Sequence, residues 1–267
     1  MNPNIHRFIF TVIFMLTGYV SAQNADAPNT AEPTSAAPVL IELYTSQGCS
    51  SCPPAEALLN SWGMDLFKAH KALPLAFHVD YWDNLGWKDA FSAAFASERQ
   101  RRHSLFYNAE STFTPEMVVN GQLGFNGSDA WQAKTAFAQA SSLKAPASIP
   151  LRVKAGSKTI SFSANMPQDE KINVIHDPVL NVVVFENGLS TQIQRGENSG
   201  SLLNEGFVVR YYASALESTL KADQPFTGSI PIDHDWKLSH TGVAVWIQDP
   251  QTLQCQGVNW VYPISGK

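Results

Sequence analysis

Apolar residues come in short continuous runs before about residue 145 and alternate with polar residues after it. Val39-Leu40-Ile41-Glu42-Leu43-Tyr44 reads as a buried strand, and Ser46-Gln47-Gly48 as the turn that ends it. Ala55-Glu56-Ala57-Leu58-Leu59 is helix-forming and predicts a helix to about Trp62. A second apolar strand is expected over Leu73-Pro74-Leu75-Ala76-Phe77-His78-Val79. Between about 89 and 107, Phe91, Phe95, Leu105 and Phe106 flank the polar run Ser-Glu-Arg-Gln-Arg-Arg and predict one or two helices. Met117-Val118-Val119 reads as a third strand. Asn120-Gly121 is a hairpin signal, and Gln122-Leu123-Gly124-Phe125 is the expected return strand. Ser128 is placed as the cap of a last helix, with Trp131, Phe137 and Ala138 on its buried side. The order β-α-β-α-β-β-α predicts an α/β arrangement around a mixed sheet.

The pattern changes near Ala145-Pro146. Leu151-Arg152-Val153-Lys154 and Ile160-Ser161-Phe162-Ser163 alternate with period two, separated by Gly156-Ser157. Further strands are expected over 179–186, 206–212, 242–248 and 253–261, the last two joined by Asp249-Pro250-Gln251-Thr252. Several short strands with turn signals predict a sandwich-like, mostly-β C-terminal domain over 146–267. The preceding α/β domain is placed at 38–145.

The N-terminal segment changes the expected compartment. His6 and Arg7 precede the apolar run Phe8-Ile9-Phe10-Thr11-Val12-Ile13-Phe14-Met15-Leu16, and Val20-Ser21-Ala22 closes it with small residues. This is the layout of a cleavable signal peptide, residues 1–22. The run is shorter than the roughly 20 apolar residues of a spanning helix. Residues 23–37 lack aromatics and large aliphatics and read as a disordered linker. The mature chain is expected in the periplasm or secreted, with no membrane attachment after cleavage. A formal charge of −5 and no basic block give no reason to expect nucleic acid as a partner.

The chain has 3 cysteines, too few for a disulfide scaffold. Cys255 alternates with Leu253 and is expected to be buried. Cys49-Ser50-Ser51-Cys52 lies between the first strand and its helix, where two cysteines three apart can close a disulfide ring. Helix N–H groups there stabilise a thiolate, which points to redox chemistry.

Three further features narrow this. Thr114-Pro115 precedes Glu116-Met117-Val118-Val119-Asn120-Gly121, Glu42 lies on the strand before the cysteines, and His78-Val79-Asp80-Tyr81-Trp82-Asp83 follows the second strand. The order of strand, Cys-x-x-Cys, helix, strand, helix and Thr-Pro loop resembles the thioredoxin-like superfamily. Together with Tyr44-Thr45-Ser46-Gln47-Gly48 and Pro53-Pro54-Ala55-Glu56, it resembles an exported family, domain of unknown function 1223. It departs from ordinary thioredoxin in having Gly48 before Cys49, Pro53-Pro54 after Cys52, and an enlarged segment from Asn84 to Ser111 read as a lid or substrate platform.

The resemblance implies an α/β thioredoxin-like domain with catalytic residues Cys49, Cys52, Pro115, Thr114 and Glu42. Cys49, expected nearer the solvent, is the attacking thiolate and Cys52 the resolving thiol. Pro115 in a cis loop and the Thr114 backbone are expected beside the sulfurs, and Glu42 is expected to relay the Cys52 proton. The implied activity is thiol–disulfide exchange with a protein or small-molecule substrate and a separate redox partner. No cofactor and no resident metal are expected. Two alternatives stand beside it. One is a Cu(I) site using Cys49 and Cys52 with His78 or Met117. The other is a non-catalytic interaction protein. Arg99, Arg101, Arg102 and His103 read as a solvated helix face. Trp82, Trp87 and Phe91 read as core packing, with a hydrophobic substrate groove as the alternative. His176, His234 and His240 are too scattered to form a site.

Overall fold

Every residue of β2 (Val39–Thr45) and β3 (Ala72–His78) is buried, as in strands covered on both faces. The two pair in parallel from Val39↔Ala72 to Thr45↔His78. A parallel pair needs a crossover. Here it is made by α1 (Pro53–Leu58), a π-helical turn (Leu59–Gly63) and α2 (Met64–Lys68). The structure, a computed structural model, describes residues 29–31, 38–122, 124–143, 149–166, 177–216 and 225–264. The segment read as a signal peptide and most of that read as a linker fall outside these residues. Within the stretch read as linker, β1 (Asn29–Ala31) pairs antiparallel with β6 (Leu151–Ala155).

The chain continues through α3 (Ala94–Phe106), β4 (Glu116–Val119), β5 (Phe125–Asn126) and α4 (Ala130–Ser142). After β6 come β7 (Thr159–Ala164), β8 (Val179–Glu186), β9 (Leu189–Gln192), β10 (Leu202–Glu205), β11 (Val208–Leu216), β12 (Phe226–Pro231), β13 (Thr241–Gln248) and β14 (Cys255–Val261). A single eight-stranded mixed sheet runs β14-β13-β8-β11-β3-β2-β4-β5. A four-stranded sheet, β1-β6-β7-β12, and the β9–β10 hairpin complete the described strands.

The expected fold class is therefore corrected. The protein is mostly β, with 39% of the described residues in strands and 22% in helices. It is not an α/β thioredoxin-like domain followed by a separate β-rich domain. The cause lies in β8 and β13, which are buried at every position and so need cover on both faces. Val183, Phe185, Ala244 and Trp246 face the core shared with β2, β3 and the crossover helices. Their alternating neighbours Val182, Val184, Val243 and Val245 face the four-stranded sheet. The large sheet thus separates two cores. Its halves join where β11 meets β3 in parallel at Val208↔Ala76, supported by the Ala76 amide donating to the Phe207 carbonyl at 2.8 Å.

Two local readings also change. Asp129, not Ser128, caps α4, accepting from the Trp131 and Gln132 amides at 3.0 and 2.9 Å. Trp131 and Ala138 are exposed, while Phe137 packs edge-on against Trp62. Asn120 and Gly121 both take positive φ, 54° and 73°, but the strands they separate pair only at Glu116↔Asn126 and Met117↔Phe125. A side chain at position 121 would overlap the Leu253 carbonyl, so this turn also packs against the β13–β14 connection.

Candidate functional site

The loop after β2 carries the two cysteines, which form a disulfide with their Cα atoms 5.5 Å apart. The Ser46 carbonyl accepts from the Cys49 amide at 3.1 Å, and the Cys49 carbonyl from the Cys52 amide at 3.2 Å. Cys52 then stands at the N-cap of α1, whose opening prolines need no amide partner. Ser51 lies 3.4 Å from the Cys49 sulfur and donates its hydroxyl to the Thr114 carbonyl, also at 3.4 Å. The Thr114–Pro115 bond is cis. Trp82 donates its indole N–H to the Thr114 hydroxyl at 2.8 Å, so Trp82 pins the Thr-Pro loop.

The expectation that Cys49 lies nearer the solvent is not met. Both cysteines are 0% exposed, while Ser50 and Ser51 between them are exposed. An element from the distant β half holds the backbone of this loop. In the connection between β9 and β10, Asn198 donates to the Gln47 and Cys49 carbonyls at 2.9 and 3.0 Å, and Glu197 accepts from the Ser50 amide at 3.0 Å. The Ser50 hydroxyl and then its amide hold the exposed Glu197 carboxyl below its ordinary pKa. Removing the two Asn198 bonds at about 1 kcal/mol each loosens this hold on the loop. Asn198→Ala is therefore expected to speed reduction of the disulfide by dithiothreitol about thirtyfold. An unchanged rate in a thiol-quench time course would show that this hold does not limit access.

Glu42 is fully buried and does not face an open proton path. Arg99 from α3 grips it with Nε–Oε1 at 2.5 Å and Nη2–Oε2 at 3.1 Å, and the Tyr44 hydroxyl donates to Oε1 at 3.3 Å. Burial alone raises the Glu42 pKa, but the Arg99 charge and its hydrogen bonds outweigh it and hold the carboxyl below its usual value. A carboxylate held down in this way is a weak base, which does not suit the expected proton relay. Arg99 and His103 are also corrected as members of a solvated face, since both are buried, while Arg101 and Arg102 are exposed. His103 Nε2 lies 3.8 Å from Glu42. Burial, with Arg99 and Arg102 nearby, pushes its pKa down to about 4, so it is neutral there rather than an ion-pair partner. The segment read as a lid instead sends Arg99, Gln100 and His103 into the interior.

His78 ends β3 in a buried polar cluster. Its Nδ1 lies 2.7 Å from Asp89, which also accepts from the Gln47 and Phe91 amides at 2.8 Å each. One ligand atom each from Glu56, His78 and Glu205 falls within 4.8 Å of the others. Gln47 bridges this cluster to the cysteine loop. It donates to Glu205 at 2.8 Å and Thr191 at 2.9 Å, and it accepts from the Trp87 indole at 3.0 Å. Trp82 packs against the core as expected, and both Trp82 and Trp87 are half-buried hydrogen-bond donors. Because His78 is committed to this carboxylate set and Met117 to the apolar core, the Cu(I) reading draws no ligand from either. Cys255 is buried, with its thiol pKa pushed up to about 12 by burial. His234 and His240 are exposed, and His176 lies outside the described residues.

Sequence reasoning missed Gln47, Glu56, Asp89, Asn198 and Glu205. Glu56 reads only as part of a helix-forming stretch, and Gln47 as a turn residue. Asn198 and Glu205 lie about 150 positions from the cysteines and carry no local motif. The one available signal was polar side chains in the segments flanking the Cys-x-x-Cys loop.

The fold has solved counterparts. Protein AGR_C_4864 from Agrobacterium tumefaciens superposes with a TM-score of 0.61 at 20% identity, over 85% of this chain and 95% of that one. HBP35 of Porphyromonas gingivalis superposes with a TM-score of 0.56 at 14% identity, over 88% and 78%. At these identities the likeness is one of fold. No curated protein matches the sequence. The family described as "Protein of unknown function (DUF1223)" matches residues 40–248, and the chain belongs to that family.

Proposed function

We propose that the protein is a thiol–disulfide oxidoreductase whose reacting groups are Cys49 and Cys52. The observation that carries this reading is the bridge itself, closed across a sequence separation of 3 at the head of a helix. A loop this short contributes only about 2 kcal/mol by restricting the unfolded chain, and it ties no distant elements together. The polar contacts from Asn198, Glu197, Ser51 and Thr114 around it suit a bridge that opens and closes.

The exchange balances without a cofactor. In the reduced protein the Cys49 thiolate attacks one sulfur of a substrate disulfide, and the other substrate sulfur leaves as a thiolate. The Cys52 thiol then loses its proton to that thiolate and attacks the Cys49 sulfur. This re-forms the Cys49–Cys52 bond and releases the second substrate sulfur as a thiolate, which takes a proton from water. The reverse sequence oxidises a substrate dithiol, and a second thiol or disulfide partner resets the pair. The Thr114–Pro115 loop, tied to the cysteine loop by the Ser51 hydroxyl, supports a substrate lying along it. The signal-like N-terminus agrees with work in an oxidising compartment.

The test is the reduction potential of the pair in glutathione buffers, with turnover of a small peptide disulfide. A potential above about −300 mV with catalytic turnover is the expected result. A lower potential without turnover would make the bridge structural.

A further inference from the structure

Glu56 on α1, His78 at the end of β3 and Glu205 at the end of β10 converge from three separate elements. All three are buried, with relative exposures of 5%, 1% and 3%. His78 Nε2 is sealed from solvent and has no hydrogen-bond partner among the described residues. Such an orphaned ring nitrogen is costly unless something accepts its lone pair or its proton. One ring nitrogen of His78 and one carboxylate oxygen each of Glu56 and Glu205 lie within 4.8 Å of one another. Ligands of one small metal ion, at bonds of about 2.1 Å, stand roughly 3 to 4 Å apart.

We infer that Glu56, His78 and Glu205 form a binding site for one divalent transition-metal ion of the zinc or manganese class. The supporting contacts are those a metal site requires. Asp89 holds His78 Nδ1 at 2.7 Å, which orients the ring and presents Nε2 to the ion. Thr45 donates to Glu56 Oε1 at 2.6 Å. Gln47 donates to Glu205 Oε1 at 2.8 Å, and Thr191 to Oε2 at 3.2 Å. These bonds fix each carboxylate's direction.

Charge and donor type choose the ligand. Three carboxylates, Glu56, Asp89 and Glu205, are buried together, and no arginine or lysine among the described residues pairs with them. A dication balances the Glu56 and Glu205 charges. One imidazole and two carboxylates with no thiolate suit a borderline-to-hard ion rather than Cu(I). The metal would clamp the β10 end to α1 and β3, directly behind the cysteine loop that Gln47 supports.

The site does not rest on the redox reading, because binding is measured with the disulfide closed. The full chain, oxidised and refolded in chelator, is titrated with Co(II) and with Zn(II) against a chromophoric competitor. One equivalent should bind, with visible ligand-field bands, no thiolate charge-transfer band, and a rise in melting temperature. His78→Gln and the isosteric Glu205→Gln should each weaken binding by at least about a hundredfold while keeping near-UV dichroism. If His78→Gln fails to fold, Glu205→Gln decides. No stoichiometric binding by the unmutated protein overturns the site, as does affinity unchanged in the variants. A thiolate charge-transfer band would move the metal to the cysteines and equally overturn it.

Discussion

Arg99→Met is expected to cost about 3–5 kcal/mol of unfolding free energy at neutral pH, because it leaves Glu42 buried without its counter-charge. Glu42 is fully buried on the central strand β2, and Arg99 supplies two of its hydrogen bonds. Methionine keeps most of the apolar stem, so loss of packing is a minor part of the effect. The guanidinium also lies 4.9 Å from the Trp246 ring and 5.5 Å from the Tyr212 ring, contacts that bind the helix α3 to the β half. The pH dependence has a definite sign. The Glu42 pKa is lowered in the folded state, so the stabilisation is present above the unfolded carboxyl pKa and lost as pH falls through the folded one. The variant's deficit should therefore narrow in acid, where its Glu42 takes up a proton. Urea unfolding at pH 7, pH 5 and about pH 3 checks both statements. The double variant Glu42→Met with Arg99→Met should recover most of the loss, since two apolar side chains leave no buried charge. A single-variant cost below about 1 kcal/mol would mean that water or another group compensates Glu42.

Cys52→Ser should abolish turnover, by about a thousandfold or more, and should accumulate a mixed disulfide between Cys49 and the peptide substrate. Exchange needs both sulfurs, one to attack and one to resolve. With Cys52 removed the first step still occurs and the second cannot. Cys49→Ser should also lose turnover but trap nothing. Equal burial of the two sulfurs makes this pair of variants informative, since exposure does not rank them. Mass spectrometry of the intact protein after exposure to substrate reads the outcome. Trapping by Cys49→Ser instead would exchange the two roles, and trapping by neither would remove the proposed exchange.

The candidate site was legible in proportion to how local its parts are. Cys49-Ser50-Ser51-Cys52 stood out because strand, turn and helix signals surround it within about twenty residues, and β2 and α1 do flank it. Arg99 was read wrongly for a physical reason. The helix α3 mixes Glu98, Arg99, Gln100, Arg101 and Arg102 with few apolar residues, so its pattern does not mark an inward face. The inward residues are polar because they meet the buried Glu42 and Glu116 rather than a hydrocarbon core. The fold class failed differently. Alternation in β6 and β7 correctly signalled one-sided strands, with burial alternating along both. The run Val179–Glu186 showed strand character, but a continuous apolar strand carries no information about which sheet it joins.

Composition and local pattern determine many of the strands and the cysteine loop, because these depend on neighbours a few residues away. The tertiary structure decides the rest. Hydrogen bonding between β11 and β3 merges the two halves into one sheet. That places the β9–β10 hairpin against the cysteine loop and brings Glu205 to Glu56 and His78. Contacts across some 150 residues arise only when the apolar faces on both sides of the large sheet are covered at once, and no window of sequence encodes that condition.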